Sequence, residues 1–394
     1  MKKSTFTLLL IINIVLLKAQ PILPVPDHII VIMLENKGYS NIIGSSNAPY
    51  LNSLANDPKC ALFSNSYGVT HPSQPNYISL FSGNNQGVIN DNAPTGIPYS
   101  TCNLGSSLLA NGYSFRGYSE DLPAVGSTIN SSGNYVQRHS PWTFWQGTGV
   151  NQLPAATNQP YTTYQSITNF SVLPTVSFII PNLVHDMHNP VYSANTAIIN
   201  GDAWLSTNIP ALVSWVKTHN SLLIIQYDED EGYVVGGAIV GGNNNNIPTM
   251  FIGPMVQGGT YTNHINHFSI LRTIEDMYAL PLCDSSNYYQ PITNCWNIAS
   301  ATGIQNSIKQ SQSLKLYPVP ANNQIAIDFT SESEDNAVLS ITDITGRILF
   351  TEEKQINPTL NIITLDVKAY NPSVYFISLK GSTIQSNQRF IIEK

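Results

Sequence analysis

The chain has 394 residues, a formal net charge of −7 and only 10% charged residues. That length permits two domains and a substantial core. The mildly acidic balance, with no cluster of Lys or Arg, argues against a nucleic-acid-binding surface.

Lys2 and Lys3 precede an apolar run from Phe6 to Leu17, which ends at Lys18-Ala19-Gln20-Pro21. The run is too short to span a bilayer and lies where the apolar part of a secretory signal belongs. Residues 1–19 therefore read as a signal peptide cut after Ala19 or Gln20. No later segment is apolar enough to predict a transmembrane span in the mature chain, which is expected to be secreted or attached to the cell surface.

Four continuous apolar runs follow, rich in β-branched residues: Ile29–Leu34, Thr175–Ile180, Leu222–Tyr227 and Ile247–Ile252. Such runs predict strands buried on both faces of a parallel sheet. Helical patterns lie between them, from Asp202 to Lys217 and from His267 to Tyr278. The alternation predicts an α/β domain with a mostly parallel central sheet, spanning residues 20–300. In such sheets ligands bind beyond the carboxyl ends of the strands. Three of these strands discharge acids, amides or histidines there: Glu35-Asn36 after the first, Asn182 to His188 after the second and Asp228-Glu229 after the third.

Between the first two runs lies YGVTHPSQPNYISLFSG, residues 67–83. Pro75 suits the first turn of a helix and Gly83 its C-terminal cap. Ser73 then falls at the helix N-terminus, where free N–H groups and the helix dipole favour negative charge. A serine there is either a cap or a nucleophile. Oxygen donors at Glu35, Asn36, Asp228 and Glu229 suit a divalent cation, one ion or two. With Ser73 added, the set reads as a metal-activated hydroxyl. Histidines 71, 139, 185, 188, 264 and 267 are candidates for metal ligation, phosphate contact or proton transfer. Solvated surface acids and histidines are the plainer alternative, since an acidic run such as Asp228–Glu231 is usually an exposed turn.

Cys60, Cys102, Cys283 and Cys295 show no zinc-site spacing. In an oxidising compartment they allow three pairings, and the local loops favour Cys60–Cys102 with Cys283–Cys295. From Ser300 the chain becomes Ser/Gln/Asn-rich, predicting a linker over residues 301–314. Residues 315–394 then switch to short alternating strands, Ile325–Phe329, Val338–Thr342, Arg347–Glu352, Val374–Leu379 and Arg389–Ile392. They predict a small all-β sandwich without catalytic residue types.

HIIVIMLENKGYSNIIG, THPSQPNYISLFSG, GYSFRGYSEDLP, RHSPW, PNLVHDMH, QYDEDEG and NHFSILRTIEDMYAL occur in that order. Together they resemble the phosphoesterase family of secreted acid phosphatases and phospholipase C enzymes, within the alkaline phosphatase superfamily, over residues 27–296. The resemblance implies an alkaline-phosphatase-like α/β sandwich. It also implies a nucleophile at Ser73 and a metal held by Glu35, Asn36, Ser73, Asp228 and Glu229. His185 or His188 would protonate the leaving group, and His139, Asp186 and His267 would contact phosphate. LYPVPANNQIAIDF, LSITDITGRIL, LDVKAYNPSVYFISL and QRFIIEK resemble a type IX secretion sorting domain, implying the type IX secretion machinery as partner. The expected activity is hydrolysis of phosphate monoesters through a phosphoserine. A phospholipase C reading expects an apolar rim, with Trp142 and Trp145 as candidates. A third class is a surface protein that binds phosphorylated ligands or cations without turnover.

Overall fold

The computed structural model describes residues 23–190, 193–235, 238–240, 242, 244–297, 314–331, 333–343, 347–381 and 384–394. The expected signal peptide and residues 301–313 of the expected linker lie outside the described residues.

The larger sheet has nine strands. They are β1 (His28–Leu34), β2 (Cys60–Tyr67), β3 (Phe115–Ser119), β4 (Asn158–Pro160), β5 (Val176–Ile180), β6 (Ser221–Tyr227), β7 (Asn246–Ile252), β8 (Gly259–Tyr261) and β9 (Ile265–Asn266). Their order is β8-β2-β7-β6-β1-β5-β3-β4, with β9 also on β2. All pairings are parallel except those of β7, which runs antiparallel to both β2 and β6. The mostly parallel sheet read from the sequence is thus present. All four apolar runs became strands within a residue of their expected bounds. β2 was not anticipated, because CALFSNSY mixes apolar and polar residues in its second half.

Period-two alternation splits β1 between two cores. Ile29, Val31 and Met33 face one apolar cluster, and Ile30, Ile32 and Leu34 face the other. On the first face lie α2 (Ser73–Ser82), α3 (Leu104–Ala110) and α6 (His267–Met277). On the second lie α1 (Pro49–Ala55), α4 (Ala194–Asn208) and α5 (Pro210–Val216). The helix expected over Asp202–Lys217 is really two. Pro210 opens α5 and cannot continue α4, because it has no N–H to give.

The register brings the chemistry to one edge. Leu34 pairs with Tyr227 and Ile32 with Ile179, so β1, β5 and β6 end together. Antiparallel β7 begins at that edge, where Asn246 meets Tyr67 at the end of β2. Glu35, Asp228, the segment after Ile180 and the loop leading to Ser73 therefore emerge side by side.

The expected disulfide pairing is corrected. The bond joins Cys102 to Cys283, 181 residues apart, and Cys60 and Cys295 are buried free thiols. Sequence proximity misled because Cys60 packs in the core on one face of the sheet. Cys102 and Cys283 pack on the other.

In the C-terminal part, β10 (Lys315–Tyr317), β11 (Gln324–Ser331) and β14 (Thr359–Asp366) form an antiparallel three-stranded sheet. A four-stranded sheet has the order β13 (Ile348–Ile356), β12 (Asp335–Asp343), β15 (Ser373–Lys380) and β16 (Gln385–Ile392). Ile325, Ile327 and Phe329 of one sheet share a core with Leu339, Ile341, Ile377 and Phe390 of the other. This is the small sandwich that the alternating pattern predicted. It has two strands, β10 and β14, beyond the five foreseen.

Candidate active site

Ser73 opens α2. Pro72 occupies the cap position, no side chain caps the helix there, and Gly83 closes the helix at φ +72°. The cap reading of Ser73 is thereby replaced by another role: its Oγ donates to Glu35 Oε2 at 2.9 Å. Asn76, one turn on, fixes the approach. Its Oδ1 accepts from the amides of Val69 and Thr70, both at 3.0 Å, and its Nδ2 donates to Glu229 Oε2 at 3.0 Å.

Glu35 is fully buried and stands at the centre. Its Oε1 accepts from the Tyr77 hydroxyl at 2.6 Å and lies 3.2 Å from His139 Nε2. Its Oε2 takes Ser73 and, at 3.2 Å, Asn36 Nδ2. His139 stacks on Tyr77 at 4.9 Å, and its Nδ1 lies 3.2 Å from Asp186 Oδ2. Asp186 Oδ1 accepts the His188 amide at 2.8 Å. The Asn36 amide donates to Asp228 Oδ1 at 3.0 Å, which needs the left-handed backbone Asn36 adopts at φ +54°, a conformation asparagine tolerates. Glu229 Oε2 lies 3.0 Å from His71 Nδ1, whose Nε2 is 3.5 Å from Asp230.

The electrostatics are those of acids crowded out of water. Burial, then Asp186, pushes Glu35 up to about 8, with Tyr77, Arg138 and Ser73 holding it back. Burial likewise raises Asp186 and Asp228 well above the usual carboxylate range. Glu229 is raised by burial and then by Asp228 and Glu35. Burial, then Arg138 and His188, holds His139 well below its ordinary value. Carboxylates arranged so are relieved by protons or by a cation.

The donors fit a divalent cation. Glu35, His139 and Asp186 offer ligand atoms all within 4.8 Å of one another. Asp228 Oδ2 is buried and makes no hydrogen bond of ordinary geometry among the described residues. Carboxylate oxygens with one imidazole suit a first-row divalent ion.

The other sequence candidates divide. His188 stands at the rim of the acid group, with its Nε2 3.5 Å from Arg138 Nη2 and its ring 6.1 Å from that of His139. His185 is turned aside, with Nδ1 2.9 Å from Glu120 Oε2 and the ring over Trp204. His267 is buried between Gln226 and the Asp228 carbonyl, to which its Nε2 lies at 2.6 Å. Trp142 and Trp145 are buried in the core and bonded to Asn158 and Thr101, so they form no apolar rim. Residues the sequence reading gave no role are Lys37, Tyr77, Asp91 and Arg138. Three of them lie inside or beside quoted blocks; Asp91 lies outside every block, and nothing local marked it.

Residues 45–281 match the phosphoesterase family. The chain belongs to it. Members of this family hydrolyse phosphoric ester bonds, and this chain is such a hydrolase. A phosphatidylinositol-3-phosphatase of Mycobacterium tuberculosis is 39% identical over 277 residues, covering 70% of this chain and 84% of that protein. An acid phosphatase of Aspergillus fumigatus is 25% identical, covering 73% of this chain and 63% of its own length. The phosphoesterase thus spans less than two thirds of that fungal relative. A solved Vibrio parahaemolyticus protein described as in the alkaline phosphatase superfamily aligns at TM-score 0.48 and 11% identity, over 92% of this chain and 84% of that one. Residues 315–393 match the secretion system C-terminal sorting domain, which indicates export or surface attachment. No described helix is long and apolar enough to cross a membrane.

Proposed function

We propose that this phosphoesterase is an exported, metal-dependent phosphomonoesterase of the acid phosphatase type, working through a phosphoserine at Ser73. The observation that carries the reading is the Ser73 hydroxyl, at the head of a helix and 2.9 Å from a buried carboxylate in a cluster of four acids. Glu35, Asp228 and Glu229, with Asn36, or else Glu35 with His139 and Asp186, would hold a divalent cation. That ion supplies positive charge that acidifies the serine hydroxyl and polarises a phosphoryl oxygen.

The chain's own groups do the rest. Ser73 Oγ forms the bond to phosphorus as the ester P–O bond breaks, and its proton leaves toward Glu35 Oε2, to which it already points. His188, at the rim, is better placed than His185 to protonate the departing alkoxide. Water then attacks the phosphoserine, releasing inorganic phosphate and restoring the hydroxyl. Asn76 and Tyr77 keep Glu229 and Glu35 in place by donating to them. The C-terminal sandwich engages the type IX secretion machinery and takes no part in the chemistry.

A second reading concerns the alcohol. The 39% identical relative is named for a phosphate monoester on an inositol lipid, so a lipid headgroup monoester is a candidate substrate. One panel tests both: p-nitrophenyl phosphate, its bis-ester and phosphatidylinositol 3-phosphate in vesicles, each with and without chelator. Monoester turnover that stops on chelation is the expected result, and faster turnover of the diester would overturn it. Acid quenching during turnover should leave phosphate on the peptide containing Ser73.

A further inference from the structure

Arg138 stands beside the acid group and is only loosely paired among the described residues. Its Nε is buried without a hydrogen bond. The carboxylate oxygen that faces it, Asp91 Oδ2, is 3.7 Å away, beyond hydrogen-bond distance. Its Nη2 reaches His188 Nε2 only at 3.5 Å. Guanidinium is a planar fork built for two oxygens of one anion. An orphaned buried donor on such a fork is costly unless an acceptor arrives.

Asp91 is held nearby by the nucleophile's own helix. Its Oδ1 accepts the amide of Gln74, the residue after Ser73, at 2.9 Å. The Gln74 side chain fastens the flanking residues through Nε2 to the carbonyls of Asn90 and Asn92, at 2.9 and 2.7 Å. A carboxylate thus sits between a helix N-terminal amide and an arginine, as a bound oxyanion would. It is also loosely seated, with its side chain 36% exposed. Arg138 directly precedes His139, whose Nε2 lies 3.2 Å from Glu35 Oε1, and its own Nη2 reaches His188, which places it beside the same acid group.

We propose that Arg138 binds the phosphoryl oxygens of the substrate, and that Asp91 is a resident competitor for the same fork, displaced when phosphate enters. The inference rests on the reading of Ser73 and the acid group as the phosphoryl-transfer site. It concerns binding of the anion, whichever group attacks it. Arg138 then grips two of the free oxygens on one phosphorus, and the second negative charge of a monoester or of inorganic phosphate makes it the tighter ligand for the guanidinium. Asp91 sets how tightly they are held.

The test is binding of inorganic phosphate, the reaction product, to the full-length protein loaded with divalent metal, followed by calorimetry. Arg138→Met should weaken phosphate at least tenfold. Asp91→Asn keeps an acceptor for the Gln74 amide and removes the competing charge, so it should tighten phosphate severalfold. In the Arg138→Met background, Asp91→Asn should change nothing. Arg138→Lys, which keeps the charge without the fork, should fall between wild type and Arg138→Met, and it serves if the methionine variant does not fold. Unaltered phosphate affinity in a folded Arg138 variant overturns the proposal, as does weaker binding in Asp91→Asn. Failure of the Ser73 reading would show separately, as an active Ser73→Ala enzyme whose phosphate binding still depends on Arg138.

Discussion

Ser73 and Thr70 are both hydroxyls near the head of α2, yet their surroundings separate them. Ser73 faces Glu35, whereas Thr70 Oγ1 donates to the neighbouring carbonyl of His71 at 3.2 Å. Ser73→Ala should lower kcat by several orders of magnitude, as loss of a nucleophile does. Thr70→Ala should retain most activity, and steady-state kinetics on a monoester distinguishes them. Glu275 makes a prediction away from the site. Its Oε1 accepts the Cys283 amide at 2.9 Å, its Oε2 is buried without a hydrogen bond of ordinary geometry, and burial lifts its pKa to about 7. Below its ordinary value of 4.5 the folded and unfolded states both carry the proton. As pH rises toward 7 only the unfolded chain ionises, so this residue's contribution to stability falls, by at most about 1.4 kcal/mol per pH unit. It levels off above the folded value. Glu275→Gln should remove that slope in denaturant melts between pH 5 and 8, and an unchanged slope would refute the assignment.

At the scale of elements, the helix that begins at Ser73 is held at both ends. Its head is tied by Asn76 and Gln74. At its tail, a Cβ on Gly83 would lie 1.9 Å from the Cys283 carbonyl oxygen, and Ser285 donates its amide to the Gly83 carbonyl. The Cys102–Cys283 bond keeps that segment in place. Cys102→Ser should cost about 2–4 kcal/mol of stability, and non-reducing peptide mapping should find this one bridge and two free thiols. A Cys60–Cys102 peptide would contradict the packing. Here the limits of the sequence are plain. β1, β5, β6 and β7 announced themselves because strands buried on both faces carry few polar residues. The acids that follow them were legible as strand-end residues. The bridge, the direction of β7 and the Asp91–Arg138 pair were not, since each depends on which segments meet across the sheet. The sequence places His139 and Asp186 among the phosphate contacts but does not show that His139 lies between Glu35 and Asp186. It places His267 there too, and its buried neighbours show in no local pattern.

At the scale of the whole molecule, the part built on the larger sheet carries the candidate site and residues 315–393 carry the sorting-domain match. No residue described at the site lies in the C-terminal sandwich, which has its own core. A chain ending near Ser300 should keep full turnover in vitro and fail to reach the surface of the native host; loss of intrinsic activity with an intact fold would disprove this. One consequence of the strand order concerns time. β1 is synthesised before both of its neighbours, β5 and β6, which lie roughly 150 and 190 residues downstream. The most apolar stretch of the sheet has no local partner to zip onto, and pairings so distant close slowly. Until residue 180 has followed, His28–Leu34 has neither of its sheet neighbours, and its second edge stays open until residue 227. Completion of the sheet around β1 therefore waits until most of the larger part of the chain has been made.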